Sequence, residues 1–233
     1  MSDHVTLREI VTNLLYPPRC LLCGTLCGWE ELLCESCQKQ QPQAGEFFWE
    51  PEVFGCRGIL WCARYEGAFR AGMEQLKFEG VRESLPLFGG MLTEAVRQSG
   101  LLPQLTAVTY VPMPPERERH RGYNQSKLLA QHLAGELGLP LREGVLARDG
   151  RATPHAAAGR AARITLAKES YRAGERKLPP GEHILLIDDI ITTGATLENC
   201  AALLLAQGAE SVTAAAVLRT PRPEGKKLEG NKG

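Results

Sequence analysis

The stretch that decides the fold is His183-Ile184-Leu185-Leu186-Ile187-Asp188-Asp189-Ile190-Ile191-Thr192-Thr193-Gly194-Ala195-Thr196. The apolar run Ile184 to Ile187 reads as a buried strand of a parallel sheet. Two adjacent acids follow, then a short loop of hydroxyls with Gly194, then a helix start near Thr196. Strands of such sheets point their carboxyl ends at the ligand crevice. The exposed N–H groups and dipole of a helix start attract an anion. Thr192, Thr193 and Thr196 add hydroxyl donors, and Gly194 permits close backbone approach. Ionised Asp188 and Asp189 only accept hydrogen bonds, which suits sugar hydroxyls or a bound Mg²⁺. An anion, a polyhydroxylated ring and a metal side by side describe a ribose 5-phosphate. The loop lacks the Lys of a P-loop and the spaced glycines of a dinucleotide fold. The plainer reading is a turn whose acids merely cap or solvate a helix, and the strand-loop-helix context weighs against it.

Outward from this stretch, strands and helices alternate. Thr196 to Gln207 reads as a helix and Val212 to Leu218 as a strand. Upstream, Ile59 to Tyr65 reads as a strand, Ala68 to Phe78 and Leu85 to Gln98 as helices, and Ala107 to Val111 as a strand. A charged loop, Pro112 to Gln125, leads into a helix over Ser126 to Leu137. Residues 149 to 163 are rich in Arg, Ala and Gly without apolar period and read as a mobile segment. This alternation predicts a parallel α/β sheet flanked by helices, with right-handed crossovers. At the N-terminus, Leu7, Ile10, Val11, Leu14 and Leu15 have helical spacing before Pro17-Pro18. Gln38 to Pro51 reads as a linker. Domain limits follow at 1–50 for the helix and cysteine module, 51–220 for the α/β domain and 221–233 for a flexible tail.

Five of the eight cysteines fall between residues 20 and 37. Cys20-x2-Cys23 and Cys34-x2-Cys37 are two knuckles ten residues apart, and paired knuckles complete the tetrahedron that Zn²⁺ prefers. A structural zinc on Cys20, Cys23, Cys34 and Cys37 is the expectation, against a set of reduced thiols or a redox pair. Cys27 is a fifth thiol in the loop, and replacement of one ligand by it stays open. A module of this size has too little core to fold without metal. Cys56, Cys62 and Cys200 read as small buried side chains.

The 183–196 string resembles the phosphoribosyl pyrophosphate (PRPP) signature of type I phosphoribosyltransferases: four apolar residues, Asp-Asp, then Thr-Thr-Gly-x-Thr. That resemblance implies a 5-phosphate on Thr192, Thr193, Gly194, Ala195 and Thr196, and the ribose on Asp188 and Asp189. It also implies a pyrophosphate loop after an earlier strand. Here that loop is Pro112 to Gln125, with Arg117, Arg119, His120 and Arg121. Guanidiniums suit a diphosphate because they bind bidentately and stay charged. A solvated charged loop is the plainer alternative, with Glu116 and Glu118 offsetting the arginines. With the cysteine knuckles, Lys77-Phe78-Glu79-Gly80 and Arg121-Gly122-Tyr123-Asn124-Gln125, the whole order is similar to that of ComF/GntX-like proteins, associated with DNA uptake and use of DNA as nutrient. The sequence departs from that pattern at His155 and Leu166, where Gln and Asn are common, within the segment that the resemblance implies is the loop closing over the reacting centre.

The resemblance implies displacement of pyrophosphate from PRPP by an unknown acceptor, with Mg²⁺ on the leaving group. The segment Ile59 to Gly100 is read as the hood that would select that acceptor, and His155 is a candidate base. The rival reading is a non-catalytic PRPP sensor or single-stranded-DNA-binding accessory, with Arg148, Arg151, Arg160 and Arg163 adding to the basic mouth. A docking role toward DNA-uptake machinery fits either. Composition sets the outer bounds. The 233 residues are 43% hydrophobic and 23% charged, with 27 basic and 27 acidic side chains, so nucleic-acid binding by net charge alone is excluded. No stretch has the ~20 apolar residues of a membrane span, and no secretion signal is evident. The expectation is a cytoplasmic protein.

Overall fold

The computed structural model describes residues 17–28, 31–40, 45–78, 84–149 and 170–221. The expected N-terminal helix at 5–15, the 150–163 part of the mobile segment and the tail beyond 221 lie outside the described residues, as does His155.

The central sheet has five strands: β1 (Phe48–Val53), β2 (Cys56–Arg64), β3 (Ala107–Tyr110), β6 (His183–Ile191) and β7 (Ser211–Arg219), in the order β1-β2-β7-β6-β3. Strands β2, β7, β6 and β3 are parallel, and β1 pairs antiparallel with β2 at the edge. A separate ribbon joins β4 (Leu146–Arg148) to β5 (Tyr171–Ala173). The helices are α1 (Glu35–Gln40), α2 (Gly67–Phe78), α3 (Ser84–Gln98), α4 (Pro115–Arg121), α5 (Gln125–Leu137) and α6 (Ala195–Ala206).

The expected parallel α/β sheet is present, and alternation along β6 builds its two layers. Leu185 and Ile187 face a core that holds Met73 and Leu76 of α2, Phe88 and Leu92 of α3, and Leu129 and Leu133 of α5. Ile184, Leu186 and Ile191 face Leu197, Cys200 and Leu204 of α6 with Tyr171 of β5. Cys56, Cys62 and Cys200 are buried, as expected.

Three readings need correction. Gln38–Pro51 is not a linker throughout, because α1 runs to Gln40 and β1 begins at Phe48. The pairing of β1 with β2, the Phe48–Trp61 ring stack at 5.4 Å and the Arg219–Glu50 ion pair at 2.5 Å hold this edge; β1 also runs across the expected domain limit at residue 50. The charged Pro112–Gln125 stretch is not all loop: Pro115 starts α4 with its φ preset, and Gly122 ends it in the left-handed region. The segment Ile59 to Gly100 is not hood throughout, although Tyr65, Glu74 and Lys77 from it line the cavity described below. Strand β2 lies inside the main sheet and α3 packs into its core. Among the described residues no helix is long and apolar enough to cross a membrane.

Helix α5 is placed by Asn124. Its side-chain oxygen accepts from the Ser126 and Lys127 N–H groups at 3.0 and 3.4 Å, and its amide donates to the Val111 carbonyl at 3.1 Å. Cap and tether are both buried, so Asn124→Ala is expected to cost about 1–3 kcal/mol. Asn124→Ser, which retains the cap, is expected to recover part of it, as read by urea unfolding.

Candidate functional site

A cavity of about 460 Å³ opens at the carboxyl ends of β3 and β6. Its floor is the acid pair. Strand β6 continues past the predicted end at Ile187 to Ile191, and Asp188 still pairs with Ala216 of β7. Asp188 is buried at 8% exposure. Its Oδ1 accepts from Ser126 Oγ at 3.1 Å and from the Asp189 N–H at 2.9 Å. Burial pushes its carboxyl up to about 8, and the neighbouring Asp189 adds to the rise. Asp189 takes Lys77 Nζ of α2 on Oδ2 at 2.7 Å, both side chains being largely shielded from water.

Past the acids, Thr192 and Thr193 are exposed and Thr196 lines the cavity. Gly194 caps α6 at φ 84°. A Cβ there would lie 2.0 Å from the ring of Phe54, so conformation and space both require glycine. Phe54 itself has φ 57° and Gly55 φ 69°, the two positive angles of a type I′ hairpin turn between β1 and β2. That turn presses an aromatic ring against the loop.

The opposite wall comes from the stretch after β3. Arg117 and Arg121, one turn apart on α4, line the cavity, whereas Arg119 and His120 do not. Asp189 acts on the charge of Arg121, opposing the fall that burial imposes on it. Asp188, Asp189, Thr196, Arg117 and Arg121 therefore line one cavity, whereas Thr192, Thr193, Gly194, Ala195 and Arg119 are not among its lining residues.

Arg148, expected at the basic mouth, does line the cavity, but Tyr171, Tyr65 and Glu74 were not singled out for a role from the sequence. Arg148 stands over the Tyr171 ring at 4.8 Å, so the β4–β5 ribbon forms a third wall. Tyr65 and Glu74 line the mouth; the Tyr65 hydroxyl donates to Glu74 at 3.2 Å and Arg70 pairs with the same oxygen at 2.9 Å. Lys77 was visible only as part of a motif.

The four-cysteine group is the second site. The Sγ atoms of Cys20, Cys23, Cys34 and Cys37 lie within 4.8 Å of one another, with Cys23 and Cys34 at 3.6 Å. Zn–S bonds of ~2.3 Å in a tetrahedron place sulfurs roughly 3.8 Å apart, so these four fit a structural zinc. The Cys27 thiol instead donates to the Glu31 carbonyl at 3.1 Å, which leaves the knuckle cysteines as the ligand set.

A mostly parallel sheet whose acid-pair strand feeds a glycine-capped, threonine-rich loop, preceded by a four-cysteine ribbon, defines a phosphoribosyl-transferase-fold protein with a zinc module. The sequence matches the phosphoribosyl transferase domain over residues 124–232 and the double zinc ribbon domain over residues 11–47. DNA utilization protein YhgH of Salmonella typhi is 31% identical over 206 residues, covering 86% of this chain and 84% of the relative. Competence protein F of Haemophilus influenzae is 27% identical over 199 residues, covering 84% and 82%. Among solved structures, adenine phosphoribosyltransferase from Saccharomyces cerevisiae aligns with 79% of this chain and 88% of its own at 16% identity and a TM-score of 0.41. The chain belongs to the ComF/GntX-like family of these DNA-utilization and competence proteins.

Because the folded protein raises the Asp188 pKa, ionising that group as pH climbs from the ordinary carboxylate range toward 8 costs the folded state. Asp188→Asn keeps the oxygen that Ser126 and the Asp189 N–H address. It is therefore expected to unfold at higher temperature than the wild type, by about 1–2 kcal/mol, with the advantage larger at pH 8 than at pH 5. Melting curves at the two pH values read this directly.

Proposed function

We propose that the crevice binds PRPP with Mg²⁺ and that an acceptor nucleophile displaces pyrophosphate from the ribose C1. The observation that carries this reading is that the Asp188–Asp189 pair, Thr196 in the first turn of α6 and the Arg117–Arg121 pair line one cavity. On this reading the loop N–H groups and threonine hydroxyls hold the 5-phosphate. Asp188 and Asp189 accept hydrogen bonds from the ribose hydroxyls, and Arg117 and Arg121 face the pyrophosphate. Arg119, which points elsewhere, is left to the outer surface. The oxygen donors of Asp188 and Asp189 also suit Mg²⁺, which would supply charge neutralisation of the pyrophosphate leaving group.

In the displacement, the nucleophile forms a bond to C1 as the C1–O bond to pyrophosphate breaks, and the electron pair leaves with pyrophosphate. The protein's part is positioning and stabilisation of the departing charge. The family's named relatives support a role in the handling of imported DNA. The basic side chains that would suit a nucleic-acid backbone, Arg117, Arg121 and Arg148, line the same cavity, so single-stranded DNA and PRPP would compete for it in a salt-dependent way.

Isothermal titration of the zinc-loaded protein with PRPP in excess Mg²⁺ tests this reading. Binding is expected in the wild type and in Arg119→Ala, and at least tenfold weaker binding in Asp188→Ala/Asp189→Ala and in Arg117→Ala/Arg121→Ala. Equal affinity in all four proteins would place the ligand elsewhere, and no binding by the wild type would overturn the reading.

A further inference from the structure

The cysteine module is not a neighbour of the crevice by chance of sequence order. It is seated on the helix that forms one wall. Between Cys20 and Cys23 the knuckle carries Leu21 and Leu22, exposed by 8% and 0%. Both belong to the same core as Met73 and Leu76 of α2. At Gly72 the two backbones come so close that a Cβ would lie 2.9 Å from Leu22 Cδ2, 3.0 Å from the Leu21 carbonyl oxygen and 3.0 Å from Leu22 Cα. Only glycine permits this approach on the seated face of α2.

The same helix presents Glu74 and Lys77 to the cavity, and Lys77 ends on Asp189. Its last turn is fixed from the other side as well, because the Tyr123 hydroxyl donates to the Leu76 carbonyl. Helix α2 is thus clamped between the metal knuckle and the stretch that leads into Asn124. The knuckle keeps its shape through backbone bonds from the Gly24 N–H to the Cys20 carbonyl and from the Cys20 N–H to the Thr25 carbonyl, each under 3 Å. A knuckle of this kind has a defined backbone only while its thiolates are held together.

The module offers little to a nucleic acid directly. Between Cys20 and Cys37 the chain has Glu30, Glu31 and Glu35 and no Lys or Arg, whereas backbone binding needs cations.

We propose that the Cys20–Cys23 knuckle, seated on Gly72, is a positioning device for Lys77, so that metal occupancy of the four-cysteine site and ligand occupancy of the Asp188–Asp189 crevice reinforce each other. This rests on the PRPP reading above. Lys77 serves as the reporting side chain: it holds Asp189 in the free protein and turns to the ligand's anionic groups when the ribose takes the acids. Coupling of this kind is reciprocal by thermodynamic necessity. If bound zinc strengthens the hold on PRPP, bound PRPP strengthens the hold on zinc by the same factor.

The test measures zinc affinity of the full chain by competition with a chromogenic chelator, with and without saturating PRPP in excess Mg²⁺. Wild type is expected to bind zinc at least ~5-fold more tightly with PRPP present. Gly72→Ala, which pushes knuckle and helix apart, and Lys77→Met, which leaves the seat intact, are each expected to retain one zinc and lose that enhancement. Gly90→Ala on α3, where a Cβ meets nothing within 4 Å, is the control and is expected to keep it. Lys77→Met also corrects for any direct capture of zinc by PRPP in solution, and it stands in for Gly72→Ala should that variant fail to fold. Undiminished enhancement in Lys77→Met, or none in the wild type despite PRPP binding seen by calorimetry, overturns the inference. Absence of PRPP binding to zinc-loaded wild type would instead overturn the reading on which it rests.

Discussion

Two carboxylates side by side at the end of an apolar strand are the constraint around which this molecule is arranged. Asp188 and Asp189 continue a run of four fully buried residues, so the charge cannot retreat to solvent. The protein meets it from three directions. Ser126, delivered by the Asn124-capped start of α5, donates to Asp188. Lys77, delivered by the end of α2, pairs with Asp189. Arg121 of α4 lies close enough for Asp189 to act on its charge. Even so, burial keeps the Asp188 carboxyl well above the usual carboxylate range. Burial thus favours the protonated form of Asp188, in a crevice that two cations and a hydroxyl also face.

The same logic accounts for the module at the N-terminus. A four-cysteine ribbon of this length lacks a core of its own, and here its apolar residues do not form one. Leu21, Leu22 and Leu33 complete the layer built by α2, α3 and α5. The metal site and the crevice therefore share helix α2, which touches the knuckle at Gly72 and the acids at Lys77. At the other edge, the β1–β2 turn brings Phe54 against Gly194. The N-terminal module thus abuts α2, and the β1–β2 turn abuts the start of α6.

What the sequence made legible was local chemistry. The 183–196 string combines strand, acids, hydroxyls and glycine in one continuous run, and the knuckle spacing is set by what one ion demands. What stayed hidden was non-local. Strand β1 reads Phe-Trp-Glu-Pro-Glu-Val, with a proline and two acids breaking the alternation. It is a strand because it pairs at an edge, where a missing N–H is tolerated. Helix α4 reads Pro-Glu-Arg-Glu-Arg-His-Arg, with no apolar stripe to reveal a period, and its ends are set by Pro115 and Gly122. The helical period, once known, separates Arg117 and Arg121 from Arg119. The β4 and β5 strands have three residues each, too short for any pattern. The partner of Lys77 lies more than a hundred positions along the chain, and only the packing of α2 brings the two together.

The central claim is that this crevice is built for a ribose carrying a 5-phosphate and a diphosphate. The most direct measurement is a crystal structure of the zinc-loaded protein with PRPP and Mg²⁺. The account predicts the 5-phosphate on the N–H groups of Thr193 to Thr196, ribose hydroxyls on Asp188 and Asp189, the diphosphate facing Arg117 and Arg121, and Lys77 released from Asp189. A ligand bound outside the crevice, or one whose diphosphate occupies the 192–196 loop, would contradict it.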